Sequence, residues 1–341
     1  SIRLAADVVQ IRQLREWFEN ARGLDPGLHM VDGAEVASLI PSLRPGWAGG
    51  LVSPGDGHAD PIKATRAFAA AAQRAGVHMR TGAPVHQIVL TGGKVIGVRT
   101  ASGLTAAGKV ICAAGVGSSR LLRTCGLDLP IRVVRSTMIR TATVPQVTAM
   151  AVWSPGVAFR QTPDGHLTAA AGVQSDYDIT LESLRHTSMF LDNYWKNRRS
   201  IRFHVGRPLI ADLVSVTKGW VSSRPAREPL PTPAPINEAK VSACLEELFR
   251  VVPDLGHPKL ETAWAGYIDA TPDALPVLGP AEDVPGLVIA TGFSGHGFGL
   301  APAAAMAVSD LVLDRNPALS LSSFRFARFA ERDLGQSRAL I

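Results

Sequence analysis

The sequence predicts a mixture of α/β and α+β structure, and three stretches carry that prediction. Gly286–Leu300 reads as a short apolar strand and a loop with glycines at 292, 295, 297 and 299, followed by a small-residue helix from about Ala301 to Leu313. Lys109–Arg120 repeats the order in miniature: a strand over Lys109–Ala114, a turn at Gly115-Val-Gly117, then a helix. Between the two, residues 131–173 alternate in a β-like way, with turns at Ser154-Pro-Gly156 and Pro163-Asp-Gly165. A period of two is the mark of a half-buried sheet.

The remaining elements follow in order. Val8, Ile11, Leu14 and Phe18 stand at helical spacing, so a helix is expected over Ala5–Ala21, in a chain that already opens in a helical pattern, with Gly23 as its stop. Asp32 with Glu35 has the spacing of a capping box and predicts a short helix ending before Pro41. Asp60-Pro61 is an N-cap and first-turn pair for a helix that Gly76 closes. Val85–Leu90 and Val95–Thr100 flank the hairpin-type turn Thr91-Gly-Gly-Lys94. Helical patterns recur near 180–194 and 238–250, and between them Arg224–Ile236, with prolines at 225, 229, 231, 233 and 235, is expected to be an extended polyproline-like loop. No internal repeat is visible.

Composition bounds the class. A chain of 341 residues with 46% hydrophobic and 19% charged content can bury one large core or two moderate ones. The weakly polar run Leu300–Leu313 is too short to span a bilayer, and no secretory signal pattern opens the chain. Three cysteines without C-x-x-C spacing fit reduced thiols, so a cytoplasmic setting is expected, with a membrane-peripheral one as the variant. The net charge of +6 comes from scattered basic residues, with no nucleic-acid signature among them. Lys196–Arg202 is the one basic cluster, either a solvated face or a docking point for a partner or membrane surface. The nine histidines lack the pairing a zinc enzyme needs, so no metal is expected. Gly292-Phe-Ser-Gly-His296 is not a nucleophile elbow, because its fifth residue is histidine, and no Walker glycine loop occurs.

Glycines allow positive φ and close approach of backbone to a flat ligand, and the helix behind the 292–299 loop points unpaired N–H groups back at it. That combination suits a negatively charged or electron-accepting ring, as in flavin binding. Together with Trp264–Asp273, Leu51–Pro61 with its following helix, and Gly103 through Val110–Ser119, this loop resembles the FAD-dependent D-amino-acid oxidase superfamily. The resemblance spans about residues 51–314 and is nearest to the sarcosine-, dimethylglycine- and opine-oxidising branch, which includes beta subunits of heteromeric dehydrogenases.

The resemblance implies a glutathione-reductase-like FAD-binding domain, residues 58–126 and 267–314, interleaved with a mixed-sheet substrate domain, residues 1–57 and 127–266, and a tail over 315–341. Implied cofactor-binding residues are Ala114, Gly115, Gly266, Asp273 and the loop residues Gly292, Phe293, Ser294, Gly295, His296, Gly297, Phe298 and Gly299. The N–H groups of Gly297, Phe298 and Gly299 are the candidate donors to charge developing on the ring. His296, Tyr267 and Arg160 are the candidate catalytic residues: His296 faces the ring or braces the loop, and Arg160 is the cation for a substrate carboxylate. Asp56 and His58 line the domain seam or form a plain loop.

The sequence departs from the family pattern in four places. Monomeric sarcosine oxidases carry a lysine where Gly299 stands and a flavin-linking cysteine near Gly266, and glycine oxidases carry an arginine where Ile268 stands. The Gly-x-Gly-x-x-Gly βαβ unit, which seats the FAD pyrophosphate, is absent from residues 1–341, and Gly115-Val-Gly-Ser-Ser-Arg120 has arginine in place of the third glycine. The expectation is therefore a truncated or processed chain, or a separate polypeptide that supplies that unit. Two readings stand: an FAD-dependent dehydrogenase or oxidase of a C–N bond in an amino acid, N-alkyl amino acid or opine, or a non-catalytic subunit that completes a flavin site only in an assembly. Electrons would leave to oxygen, a quinone or a partner flavin.

Overall fold

The computed structural model describes residues 1–171, 175–179, 185–191, 194–195, 201–204, 209 and 232–335. The Lys196–Arg202 cluster, the 180–194 helix and the Arg224–Ile236 loop lie largely outside them. The chain divides into two compact units: Ser1–Asp60, Ser136–Gln174 and Pro231–Gly266 form the first, and Pro61–Arg135, Ser175–Leu230 and Tyr267–Ile341 the second.

The first unit is built on a mixed sheet. Its strands run in the order Arg132–Thr143 (from Ser136 on), His166–Ala171, Val157–Gln161, Val152–Trp153, Ile2–Ala5, Gly49–Val52 and His29–Asp32. Every neighbouring pair is antiparallel except Ile2–Ala5 with Val152–Trp153. Helix Glu238–Val251 packs on the two central hairpin strands. It buries Val241, Cys244, Leu248 and Val251 against Ile139, Phe159, Leu167 and Ala169. The opening of the chain corrects the expected helical start. Ile2–Ala5 is a strand paired with Gly49–Val52, and Ile2 and Leu4 are both buried. The helix begins at Val8, because the Asp7 side chain accepts the Gln10 N–H at 2.9 Å and fixes the cap there. The capping box is as expected: Asp32 accepts from Ala34 and Glu35, and Glu35 accepts from the Asp32 N–H.

In the second unit, Leu287–Thr291 is the centre of a three-stranded sheet, antiparallel to Val277–Pro280 and parallel to Val110–Cys112. Alternation along it fills two faces. Leu287 and Ile289 join Val277, Cys112 and Leu122 on one side, and Val288 packs with Leu278, Ala304 and Val308 on the other. A separate antiparallel sheet joins Gln87–Thr91, Lys94–Thr100 and Gly103–Ala106, with Gly92 and Gly93 at positive φ in the expected hairpin turn. Strand Ser175–Asp178 pairs in parallel with Ile201–His204 and meets Arg135 at Asp176. Residues 315–335 are tied into this unit: Phe329 sits in the apolar cluster and Arg328 is 1% exposed.

Candidate functional site

Three turns of the second unit converge. The first follows Val110–Cys112: Ala114 is exposed, Gly115 has φ +53°, and Gly115–Gly117 make one 3-10 turn before helix Ser118–Arg123. The second is the glycine loop after Leu287–Thr291, with positive φ at Gly292, Ser294 and Gly295. The third is Thr271–Asp273. The first two lie side by side because their strands are parallel neighbours, Leu287 opposite Val110 and Ile289 opposite Cys112.

The long helix starts at Gly297 and runs to Val312, four residues earlier than the sequence suggested. Its glycines read as breakers, yet Gly297 and Gly299 sit in the first turn, where N–H groups have no helical partner to lose, while Pro302 lies inside the helix and leaves the Phe298 carbonyl without an i+4 N–H donor. Gly297, Phe298 and Gly299 are thus its first three residues. His296 gives no side-chain cap, and no acidic side chain stands in the first turn. Its positive end is left uncompensated by side chains.

The loop itself is held by buried polar contacts. The Asp269 carboxylate accepts the Gly292 N–H at 2.6 Å and the Thr291 hydroxyl at 3.0 Å. The Ser118 hydroxyl donates to Thr291 Oγ1 at 2.9 Å, and Thr291 Oγ1 lies 3.3 Å from the Gly115 carbonyl. The Ser294 N–H reaches the Asp269 carbonyl at 3.0 Å, and its hydroxyl accepts the Thr271 N–H at 3.2 Å. A Cβ on Gly292 would stand 2.5 Å from Thr271 Cγ2, so glycine is required there for space as well as for φ.

The expected site residues fare differently. The glycine loop, Gly115 and Ser294 come together as described. His296 and Phe298 are exposed. Asp273 is fully engaged by a residue the sequence did not single out: Arg328 donates to both carboxylate oxygens, at 2.8 and 3.1 Å, and to the Leu275 carbonyl at 2.8 Å. Both side chains are at most 1% exposed, so Asp273 acts by fixing the turn. Tyr267 is half-buried, and burial, then the Asp178 charge, raise its phenol above the usual range. Asp178 in turn takes a two-pronged pair from Arg135, at 3.1 and 3.3 Å. Arg160 and Gly266 belong to the first unit. Arg160 is half-buried opposite Thr168 and makes no ion pair among the described residues, and Gly266 is exposed in strand Leu260–Ala270. Asp269, Thr291, Ser118 and Arg328 escaped the sequence reading, because their partners are set by tertiary proximity rather than spacing.

A flat ring fits the residues present. A Cβ added at Gly115 or Gly299 would meet nothing within 4 Å, so open space lies before both backbones. The uncapped helix start stands next to it in sequence. Among the described residues no helix is long and apolar enough to cross a membrane.

A family model described as DAO, FAD dependent oxidoreductase, matches residues 1–311. Mouse mitochondrial dimethylglycine dehydrogenase is 24% identical over 329 residues, covering 94% of this chain and 34% of the relative. D-amino acid dehydrogenase of Cereibacter sphaeroides is 27% identical over 283 residues, covering 83% and 53%. The chain thus spans about a third to a half of these curated relatives. Among solved structures, L-amino acid deaminase from Proteus myxofaciens superposes with a TM-score of 0.84 at 23% identity, covering 96% of this chain and 74% of that one. L-proline dehydrogenase from P. horikoshii gives 0.76 at 20%, covering 98% and 77%. The fold they share is a FAD-binding domain with a mixed-sheet substrate domain.

Proposed function

This chain belongs to the DAO family of FAD-dependent oxidoreductases, and on that premise we propose that it oxidises a C–N bond of an amino acid, an N-alkyl amino acid or an opine to the imine. The observation that carries this reading is the glycine loop on an uncapped helix start, beside open space at Gly115 and Gly299. Residues 58–126 and 267–314 are its cofactor-holding pieces, with Gly115, the 292–299 loop and the Gly297–Gly299 N–H groups against the ring. FAD, when bound, supplies a two-electron acceptor of hydride.

The chain's own residues do the positioning. First-turn N–H groups at Gly297, Phe298 and Gly299 stabilise negative charge as it develops, fixed in place before reaction. Tyr267 keeps its proton at neutral pH, since its phenol is raised by burial and by Asp178, so it can donate a hydrogen bond to substrate. Arg160, with no ion pair among the described residues, suits a substrate carboxylate. His296, exposed at the loop, faces the ring or braces it. With FAD bound, the imine would hydrolyse in water and the electrons would leave to oxygen, a quinone or a partner flavin.

A second reading has its own support: this chain completes a flavin site only with a further polypeptide segment. Among the described residues strand Val110–Cys112 ends its sheet with Ile111 46% exposed, and Ile62, Phe68, Phe298 and Met306 are exposed at 61, 71, 55 and 70%. Parallel strands are ordinarily covered on both faces.

Purified protein, scanned anaerobically for flavin absorbance before and after an amino-acid and opine panel, tests both. A flavin band that bleaches with one amine supports catalysis by this chain. A colourless chain that takes up no added FAD sinks that reading and leaves the assembly reading.

A further inference from the structure

We propose that Asp269 is a positioning residue: its carboxylate locks the glycine loop to the Gly115 turn, and so aims the first-turn N–H groups of the long helix. The proposal rests on the flavin reading above and gives a role to a side chain that reading leaves unused. Its Oδ2 takes two donors from consecutive residues, the Thr291 hydroxyl and the Gly292 N–H, the latter at 2.6 Å. Bonds to a carboxylate are shorter and stronger than neutral ones. Its backbone carbonyl takes a third, from Ser294. One residue therefore grips the loop at 291, 292 and 294.

Such a grip is needed because the loop cannot hold itself. Gly292 at φ +73° has the largest conformational freedom to lose, and a side chain there would strike Thr271. Ser294 stands at φ +52°, a region that non-glycine residues seldom occupy. The relay reaches the Gly115 turn through one proton. Thr291 has a single hydroxyl hydrogen, with Asp269 Oδ2 at 3.0 Å and the Gly115 carbonyl at 3.3 Å as acceptors, while its lone pair takes the Ser118 hydroxyl. The carboxylate orients the series Ser118 to Thr291 to Asp269, and with it the spacing of the two loops. Small errors in such placement are costly where geometry sets the rate.

Asp269→Asn keeps size and removes charge, and Thr291→Val cuts the relay without touching Asp269. Two readouts on the full chain decide the matter: amide exchange of residues 291–297 without FAD, and FAD affinity with the visible circular dichroism of the bound flavin. Both variants are expected to keep the parent's far-ultraviolet spectrum and to speed loop exchange about tenfold or more. Each should weaken FAD about tenfold or more and change the flavin dichroism. The double variant should be less than additive, because both act in one relay. Unchanged exchange and unchanged flavin dichroism in both variants would overturn the proposal. If the parent itself binds no FAD, the functional reading fails, and loop exchange alone decides whether Asp269 sets the loop.

Discussion

The two compact units handle ion pairs differently. In the first, the interior is mostly apolar: Ile139, Phe159, Leu167 and Leu248 are 0–3% exposed, Lys240 at 4% is its one buried charged residue among those described, and the Arg140, Asp164, His166 and Glu261 ion pairs lie at its margin, with Asp164 59% and Glu261 44% exposed. In the second, charge is carried inside. Arg328 and Asp273 pair at no more than 1% exposure, and Arg135 meets Asp176, which is fully buried. Buried charge is a poor source of net stability but punishes disruption, so it belongs where one arrangement must be kept. That arrangement here is the turn beside the glycine loop. The first unit keeps its described ion pairs at the margin and rests mainly on packing.

The contrast is broken or sharpened most strongly at Arg328. Arg328→Ala leaves Asp273 buried without its partner and is expected to cost about 3–5 kcal/mol, read from urea unfolding. Arg328→Met combined with Asp273→Leu should recover much of that loss, because the penalty lies in the stranded charge. A small loss in the single variant would mean that the pair is not a structural constraint of the second unit.

In the first unit the matching test is apolar. Leu248→Ala removes a fully buried side chain from helix Glu238–Val251 and is expected to cost about 2–4 kcal/mol by the same measurement, through lost burial and the cavity left behind. A loss below about 1 kcal/mol would show that the sheet and helix collapse to fill the space, and that packing there is looser than its burial implies.

How far the sequence carried these features follows from their range. The capping box at Asp32 and Glu35 and the hairpin at Gly92-Gly93 are local, and the residue types alone imply them. The glycine loop was legible for the same reason, since its residues are consecutive. The four-residue strand Ile2–Ala5 was not, being too short to display a period, and the helical stripe that follows masked it. Arg328 and Asp273 are 55 positions apart, and Ser118 and Thr291 are 173 apart. Such pairs arise only once the sheet has set its register, and neither end carries a spacing that announces the other. The site was therefore readable as a backbone cradle, while the side chains that hold the cradle were not.

The smallest effect is expected at the margin of the first unit. Asp164 accepts a bond from Arg140 at 3.1 Å. Its carboxyl is held below the ordinary value of 3.8, first by a bond with the Thr162 hydroxyl and then, more weakly, by the charges of His166 and Arg140. A lowered folded-state value means that its contribution is present above the unfolded value, and is lost as pH falls through the lowered one. Asp164→Asn should therefore lower the melting temperature slightly at neutral pH, and the difference from the parent should vanish on the acid limb below about pH 4. Even that difference should fade in about 1 M salt, where exposed charges are screened within a few ångströms. The comparison would collapse if this exposed pair proved as costly to break as Arg328 and Asp273: margin and interior would then carry charge alike, and burial would not be what makes the second unit's arrangement obligatory.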